Sequence, residues 1–443
     1  MDGPEGTGGV KIVRLAPGSG QLDLEVQDAG DEVSFLVHGE GLSLRSIRTK
    51  HIQDGLHRMT GLKDGVDYEV RALTKDGRQS RTRLFRCGEV PGTVVNYIHP
   101  EDKTYMPSGM CPASPSIVEF RDRLIVSHDI FFRDCRQDTT LLFHSTDQGK
   151  TWRSLACLQP CFWGKLFVHR DTLYMLCNSR EYGDLTIIRS NDGGSTWGRP
   201  SLILKGGDNV IGGPHKGPMP VLSHGGRLWT ALDYGAWSLK GHASGLISVD
   251  ENLDISDGKN WEVSAFLPYD TAWEGAVSGE SGGLLEGNIL ARPDGRLINL
   301  LRYQTTGCQP SYGKAIFLFA DRDKLSFGKV IDFHGNNSKF NVYHDERTGK
   351  YWTIANRADE NHPGRRNTLV LMSSVDTEHW GIEKTLLDYE NKSWHEDREK
   401  VGFQYVDFVF HGNEIFYVSR TALNGALNYH DSNQITFHRV TYI

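Results

Sequence analysis

Hydrophobic and polar positions alternate in short runs along almost the whole chain, and turn residues separate the runs. From about residue 90 these runs form similar strand–turn–strand units. First strands begin near SPSIVEF (114), KLFVHR (165), GPMPVLSH (217), GNILARP (287), KFNVYHD (339) and QYVDFVF (404). Second strands are RLIVSHD, TLYMLCNSR, RLWTALDY, RLINLLRY, KYWTIANR and EIFYVSR. Third strands follow, such as TTLLFHS, LTIIRS, KAIFLFA and NTLVLMS. Period-two alternation bounded by Gly, Asp and Asn predicts antiparallel strands. The sixth unit has no fourth strand after ITFHRVTYI, and TVVNYIHP (93–100) is placed to supply it. Residues 10–88 also alternate, through GVKIVRL, LDLEVQ, EVSFLVH and GVDYEVRALTKDGRQSRTRLFRC. They predict a separate small β-sandwich, preceded by a flexible segment over 1–9 and followed by a GEVPG linker.

Two segments, STDQGKTW (Ser145–Trp152) and SNDGGSTW (Ser190–Trp197), both read S-x-D-x-G-x-T-W. Their residue types suit a tight turn. Asp accepts backbone N–H bonds, Gly supplies a positive φ, and Trp plugs between sheets. The string resembles the Asp box of sialidase-like β-propellers, and SVDTEHW at 374 resembles a worn copy. Copies at blade-like spacing imply a repeat architecture. The expected fold class is therefore all-β: a six-bladed β-propeller over 89–443 behind the sandwich. A strand borrowed from the other end of the chain would close the ring and hide its edges. The alternation of Tyr68, Val70 and Ala72 before a D-G turn resembles the end of a fibronectin-III-type domain.

Composition narrows the function. The net charge of −7 argues against a general nucleic-acid binder. No apolar run approaches the ~20 residues of a membrane span. Seven scattered cysteines (87, 111, 135, 157, 161, 177 and 308) include no C-x-x-C, and free thiols in a reducing compartment are expected. MDGPEGTGGV is not a signal peptide, so the chain reads as cytoplasmic, or as secreted or periplasmic if a leader precedes it. With no phosphate-cradling loop, no H-E-x-x-H and no G-x-S-x-G, neither a cofactor nor a metal is expected.

In a propeller blade, the start of strand one and the end of strand two share the face beside the central channel. The ends of strand two offer Asp129, Arg180, Asp233, Arg302, Arg357 and Arg420. The starts of strand one offer Lys165, His215, Lys216, Glu286, Lys339, Gln404 and Tyr405. Such a ring is costly unless the groups pair or meet a charged ligand. The excess of cations points to an anionic ligand, because guanidinium forks match carboxylates and sulfates. Pairing of the arginines with acids on neighbouring blades is the structural alternative. His215 suits a proton-transfer role or a turn bond, and Trp163 and Trp237 suit sugar stacking or core packing. His430 and Asp431 suit the rim or a loop cap.

EGNILARPDGRLINLLR (Glu286–Arg302) resembles the sialidase stretch in which a glutamate precedes a strand, a D-G turn and an arginine. QYVDFVFHGNEIFYVSR resembles the segment of the nucleophilic tyrosine, with Tyr405 in that place, and RRNTLVLMS that of a carboxylate-binding arginine, with Arg366 best placed. The resemblance implies Tyr405 as nucleophile, Glu286 as its base, and Arg302 and Arg366 as carboxylate ligands. Asp129, Asp134 and Asp138 lie in the stretch of the acid/base aspartate, and Asp138 is favoured. Ala113 stands where the family carries its first arginine, and Arg420 where it usually carries a glutamate. Arg180, His215, Lys339, Arg357 and Arg420 complete the candidate substrate-binding set. The expectation is an exo-acting glycoside hydrolase on an acidic oligosaccharide or polysaccharide (uronic, sulfated or sialic-like). Two alternatives stay open: a lyase or unusual glycosidase acting on a uronate through His215 or Tyr405, and a non-catalytic carbohydrate-binding propeller.

Overall fold

The computed structural model describes residues 9–29, 33–39, 42–47, 50–53, 55–277, 283–304, 312–362, 364–391 and 396–443. Cys308 and residues 1–8 lie outside them. The fold is all-β, a six-bladed propeller behind a sandwich. In the sandwich, one sheet orders Lys11–Gly18, Gln21–Gln27, Leu56–Thr60 and Lys50–Gln53. The other orders Leu42–Ile47, Val33–Gly39, Asp67–Thr74 and Arg83–Arg86. Strand Asp67–Thr74 buries Tyr68, Val70, Ala72 and Thr74 and turns the intervening residues outward, as period two requires. Phe35, Val37 and Phe85 complete that core, which runs on into Val94 and Tyr97 of the propeller. Arg14 donates to the carbonyls of Val95 and Val94 at 2.7 and 2.8 Å, and buried Arg83 pairs with Asp102 at 2.6 Å.

Four-stranded antiparallel blades follow. The first is Cys111–Phe120, Arg123–Phe131, Thr139–Ser145 and Arg153–Leu158, and the second Phe162–His169, Thr172–Asn178, Leu185–Ser190 and Ser201–Leu204. The fourth begins with Gly283–Ala291 and Leu297–Gln304, the fifth with Asn341–Asp345 and Lys350–Asn356. The sixth is Gly402–His411, Glu414–Ala422 and Gln434–Thr441, completed by Thr93–Tyr97, which pairs Tyr97 with Gln434. The segment before blade one thus closes the ring. Inner strands are buried and outer strands such as Gly381–Asp388 face solvent.

Blade three departs from the expected GPMPVLSH strand. Its inner strand is split into Gly213–His215 and Leu222–His224. Pro218 and Pro220 lie between and have no N–H for the ladder. A single parallel pairing, His242 with Gly283, joins blades three and four.

The S-x-D-x-G-x-T-W turns share one geometry. Asp147 accepts from Thr151 N, Thr151 Oγ1 and Ser145 Oγ at 2.9, 2.7 and 2.7 Å, and Asp192 repeats the set. The indole N–H groups of Trp152, Trp197 and Trp380 each donate to the carbonyl three residues earlier. Gly149 has φ 82°, and a β-carbon there would meet the Phe437 ring at 2.1 Å. In the worn copy, Thr377 takes φ 70° at the turn. Among the described residues, no helix is long and apolar enough to cross a membrane.

Candidate functional site

Four inner strands carry the same irregularity. Their registers shift between Ala113 and Ser116, Phe162 and Lys165, Leu285 and Gly287, and Gln404 and Asp407. At these bulges Ser114, Trp163, Glu286 and Tyr405 adopt φ of 41°, 55°, 53° and 55°. Non-glycine residues rarely occupy that region, and each costs about 1–2 kcal/mol, so the surrounding ladder must hold them there. A bulge re-aims a side chain. All four residues line one cavity of about 610 Å³.

One wall of the cavity is cationic. Arg302 Nη1 donates to Glu286 Oε2 at 2.8 Å and to Tyr405 Oη at 3.4 Å, while its Nη2 reaches Gln304 at 2.7 Å. The guanidinium carbons of Arg366 and Arg420 lie 5.2 and 5.1 Å from the Tyr405 ring centre. Arg366 is held by Gln404 Oε1 and Asn337 O, and Arg420 by Ser432 Oγ and His430 O. All three arginines are buried. Among the described residues, no carboxylate lies within ion-pair distance of Arg366 or Arg420. Burial pulls both guanidinium groups below the usual arginine range. Burial alone would raise the Glu286 carboxyl, but Arg302 and His215 outweigh it and hold it below the usual range.

The other wall carries His215, whose ring centre is 4.3 Å from that of Trp163 and whose Nδ1 is 3.5 Å from Asp233 Oδ2. Asp233 Oδ2 also accepts the Glu286 N–H at 2.6 Å, which fixes the bulge. Glu181 is half-buried here and accepts from Gln137 Nε2 at 2.7 Å. Burial raises its carboxyl above the usual range, against the opposing pull of His215 and Gln137. Asp134, the third carboxylate of the cavity, is exposed.

Tyr405, Glu286, Arg302, Arg366, Arg420 and His215 thus meet at one cavity, with Trp163, Trp237 and His430. Asp138, Arg180, Lys339 and Arg357 do not line it. Asp138 accepts from Ser108 and Gln159 and pairs with Arg136 at 2.8 Å. These contacts outweigh its burial and keep it ionised below the usual range, which is unfavourable for a proton donor. Arg180 and Arg357 fail the strand-end rule because both lie past the ends of their strands, at Asn178 and Asn356, Arg180 in the turn that follows. Asn178 and Asn356 take the inward places, donating to Pro214 O and Phe403 O, and the two arginines are exposed. Lys339 sits deeper in the channel with Lys165, Lys216 and Asp407. Lys165 pairs with Asp407 at 2.6 Å, and Lys339 donates to Asn341 Oδ1 at 2.9 Å. Asp129 is fully buried beneath the site, where burial pushes it up to about 7. Glu181, Gln137 and Asn209 are cavity residues to which the sequence reading gave no role. Glu181 had one legible signal, its place just past the end of a second strand.

No protein-family model matches the chain, and no curated protein matches it. Solved structures share its fold. An α-L-arabinanase from Penicillium chrysogenum complexed with arabinobiose matches with a TM-score of 0.54 at 14% identity, over 80% of this chain and 98% of that one. A Hadza microbial sialidase matches with 0.53 at 13% identity, over 99% and 94%. An α-L-arabinofuranosidase from Fusarium graminearum, bound to an iminosugar inhibitor, matches with 0.52 at 12% identity, over 78% and 96%.

Proposed function

We propose that this protein is an exo-acting glycoside hydrolase of the sialidase-like type, acting on an acidic saccharide. The observation that carries the reading is the pair of buried arginines, Arg366 and Arg420, that flank Tyr405 without a carboxylate partner. A buried cation with no carboxylate in contact is costly; Asp431 and Glu286 act on Arg420 and Arg366 only from farther off, and a ligand carboxylate or sulfate would supply the direct pairing. Arg420 takes over the part that Ala113 cannot play, and with Arg302 and Arg366 it gives three guanidinium groups around one phenol. That the solved structures of like fold are an arabinanase, a sialidase and an arabinofuranosidase supports a saccharide substrate. We also read the repeat turns as Asp boxes and the sandwich as fibronectin-III-like.

Tyr405 attacks the anomeric carbon while Glu286, beside it through the shared Arg302 donor, takes the phenol proton. The glycosidic C–O bond breaks, and the leaving oxygen takes a proton from Glu181. Of the three cavity carboxylates, Glu286 is held ionised and Asp134 is solvated, which leaves Glu181 for the acid role. Water then attacks the tyrosyl–sugar bond. Glu181 takes the proton of that water, and Glu286 returns its own to Tyr405.

A screen of acidic oligosaccharides with product masses tests the reading. Products that together gain one water are expected. Unsaturated products absorbing in the near ultraviolet would mean elimination and would sink it. Binding without turnover would favour a carbohydrate-binding propeller.

A further inference from the structure

Four large apolar side chains gather in solvent at one edge of the cavity. Val210 and Ile211 are 75% and 70% exposed, Trp237 is 46% and Leu239 is 53%. Val210 and Ile211 are the two most exposed large hydrophobic residues among those described. Asp208 Oδ1 accepts from Val210 N and Ile211 N at 2.8 and 3.0 Å, and Gly212 N donates to Asp208 O at 2.9 Å. That turn holds the two tips outward. Ser238 Oγ donates to Asn209 O, and a β-carbon on Gly212 would meet Leu239 Cδ1 at 3.2 Å, so the two segments form one lip. Asn209 and Trp237 line the cavity itself.

We propose that this lip holds an aliphatic aglycone, so that the preferred substrate is an acidic glycoside carrying an acyl or alkyl chain. The proposal rests on the hydrolase reading above. The lip adjoins Glu181: Trp237 N donates to Tyr182 Oη at 3.3 Å and Gly207 N to Tyr182 O at 2.9 Å. The leaving group departs on the side that protonates it. The arginines come from blades four to six, whereas Glu181 and the lip belong to blades two and three. Val210, Ile211 and Leu239 offer no side-chain hydrogen-bond donor or acceptor. A further sugar laid over these three side chains would lose its hydration without compensation, whereas an alkyl chain would gain. Exposed apolar clusters mark contact sites in general, and this one adjoins the cavity that Asn209 and Trp237 line.

The test uses the full chain carrying Tyr405→Phe, which blocks turnover. Methyl and n-octyl β-D-glucuronides, and the matching α-sialosides, are titrated calorimetrically below micelle concentrations. At least one octyl glycoside is expected to bind about tenfold more tightly than its methyl partner. Adding Val210→Ser and Ile211→Ser should remove that advantage and leave methyl-glycoside affinity unchanged. Methyl binding without an octyl advantage, or an advantage that survives both serines, overturns the lip assignment alone. Failure of all four to bind overturns the acidic-glycoside reading and the lip with it. Two controls are also decisive. Serine-sensitive capture on phosphatidylglycerol vesicles free of glycoside would make the lip a membrane contact. A dimer that the serines convert to monomer would make it a self-interface. Either result overturns the proposal.

Discussion

Glu286 and Tyr405 are joined by one shared donor, Arg302 Nη1, which lies 2.8 Å from the Glu286 carboxylate and 3.4 Å from the Tyr405 hydroxyl. Both residues sit at positive φ on bulges of inner strands, in blades four and six. The backbone distortion brings the two side chains to the same guanidinium. The two bulges thus set the proposed base and the proposed nucleophile against one guanidinium.

Tyr405→Phe should abolish turnover of an acidic glycoside, by about 100-fold or more, and leave binding within a few-fold. Steady-state kinetics and calorimetry on the same preparation check this. Turnover retained in the variant would remove the covalent mechanism.

Arg366→Ala and Arg420→Ala should each weaken binding of an acidic sugar by about 1.5–3 kcal/mol, the range for hydrogen bonds to charged groups. A neutral analogue should be unaffected. Equal loss for both ligands would show that the arginines brace the ring and do not contact the anion.

The pH profile of kcat/KM should be bell-shaped. Glu286 must be ionised, and its lowered pKa carries the acid limb below the usual glutamate range. Glu181 must be protonated, and its raised pKa carries the alkaline limb above that range. Glu181→Gln should flatten the alkaline limb and slow poor leaving groups far more than activated aryl ones. An alkaline limb that persists in Glu181→Gln but vanishes in Asp134→Asn would move the acid role to Asp134.

Lys216 is fully buried, and burial pushes its pKa down to about 7, with Lys165 adding repulsion. Its folded pKa is depressed, so the stability it contributes is present at high pH and is lost as pH falls from the free lysine range towards 7. Lys216→Met should flatten that dependence. Melting temperatures between pH 7 and 10 measure it, and an unchanged slope would show that Lys216 stays charged in the fold.

Asp147→Ala should destabilise the protein by about 1–2 kcal/mol through loss of the three turn bonds it accepts. Denaturant unfolding checks this. The site is distant from the cavity lining, so kcat should not change.

The sequence by itself determined the strands, their grouping into six blades, the closing role of the segment before blade one and the geometry of the repeat turns. These follow from local rules: period-two alternation, glycine at positive φ, and a tryptophan that finds its carbonyl within three residues. It also singled out Tyr405, Glu286 and Arg302, through the likeness of their segments to a sialidase pattern and their places at the channel-facing ends of strands. Which charges share the cavity was decided by the tertiary structure. Arg180 and Arg357 lie one or two residues past their strands, and the neighbouring asparagines take the inward register. Lys339 sinks below the cavity, and Asp138 is captured by Arg136. Arg420 reaches Tyr405 because register pairs it with Gln404, across a bulge that no local pattern announced. Glu181 joins the site through a turn between strands. A sequence states where side chains alternate, but bulges and register between distant strands decide which of them meet.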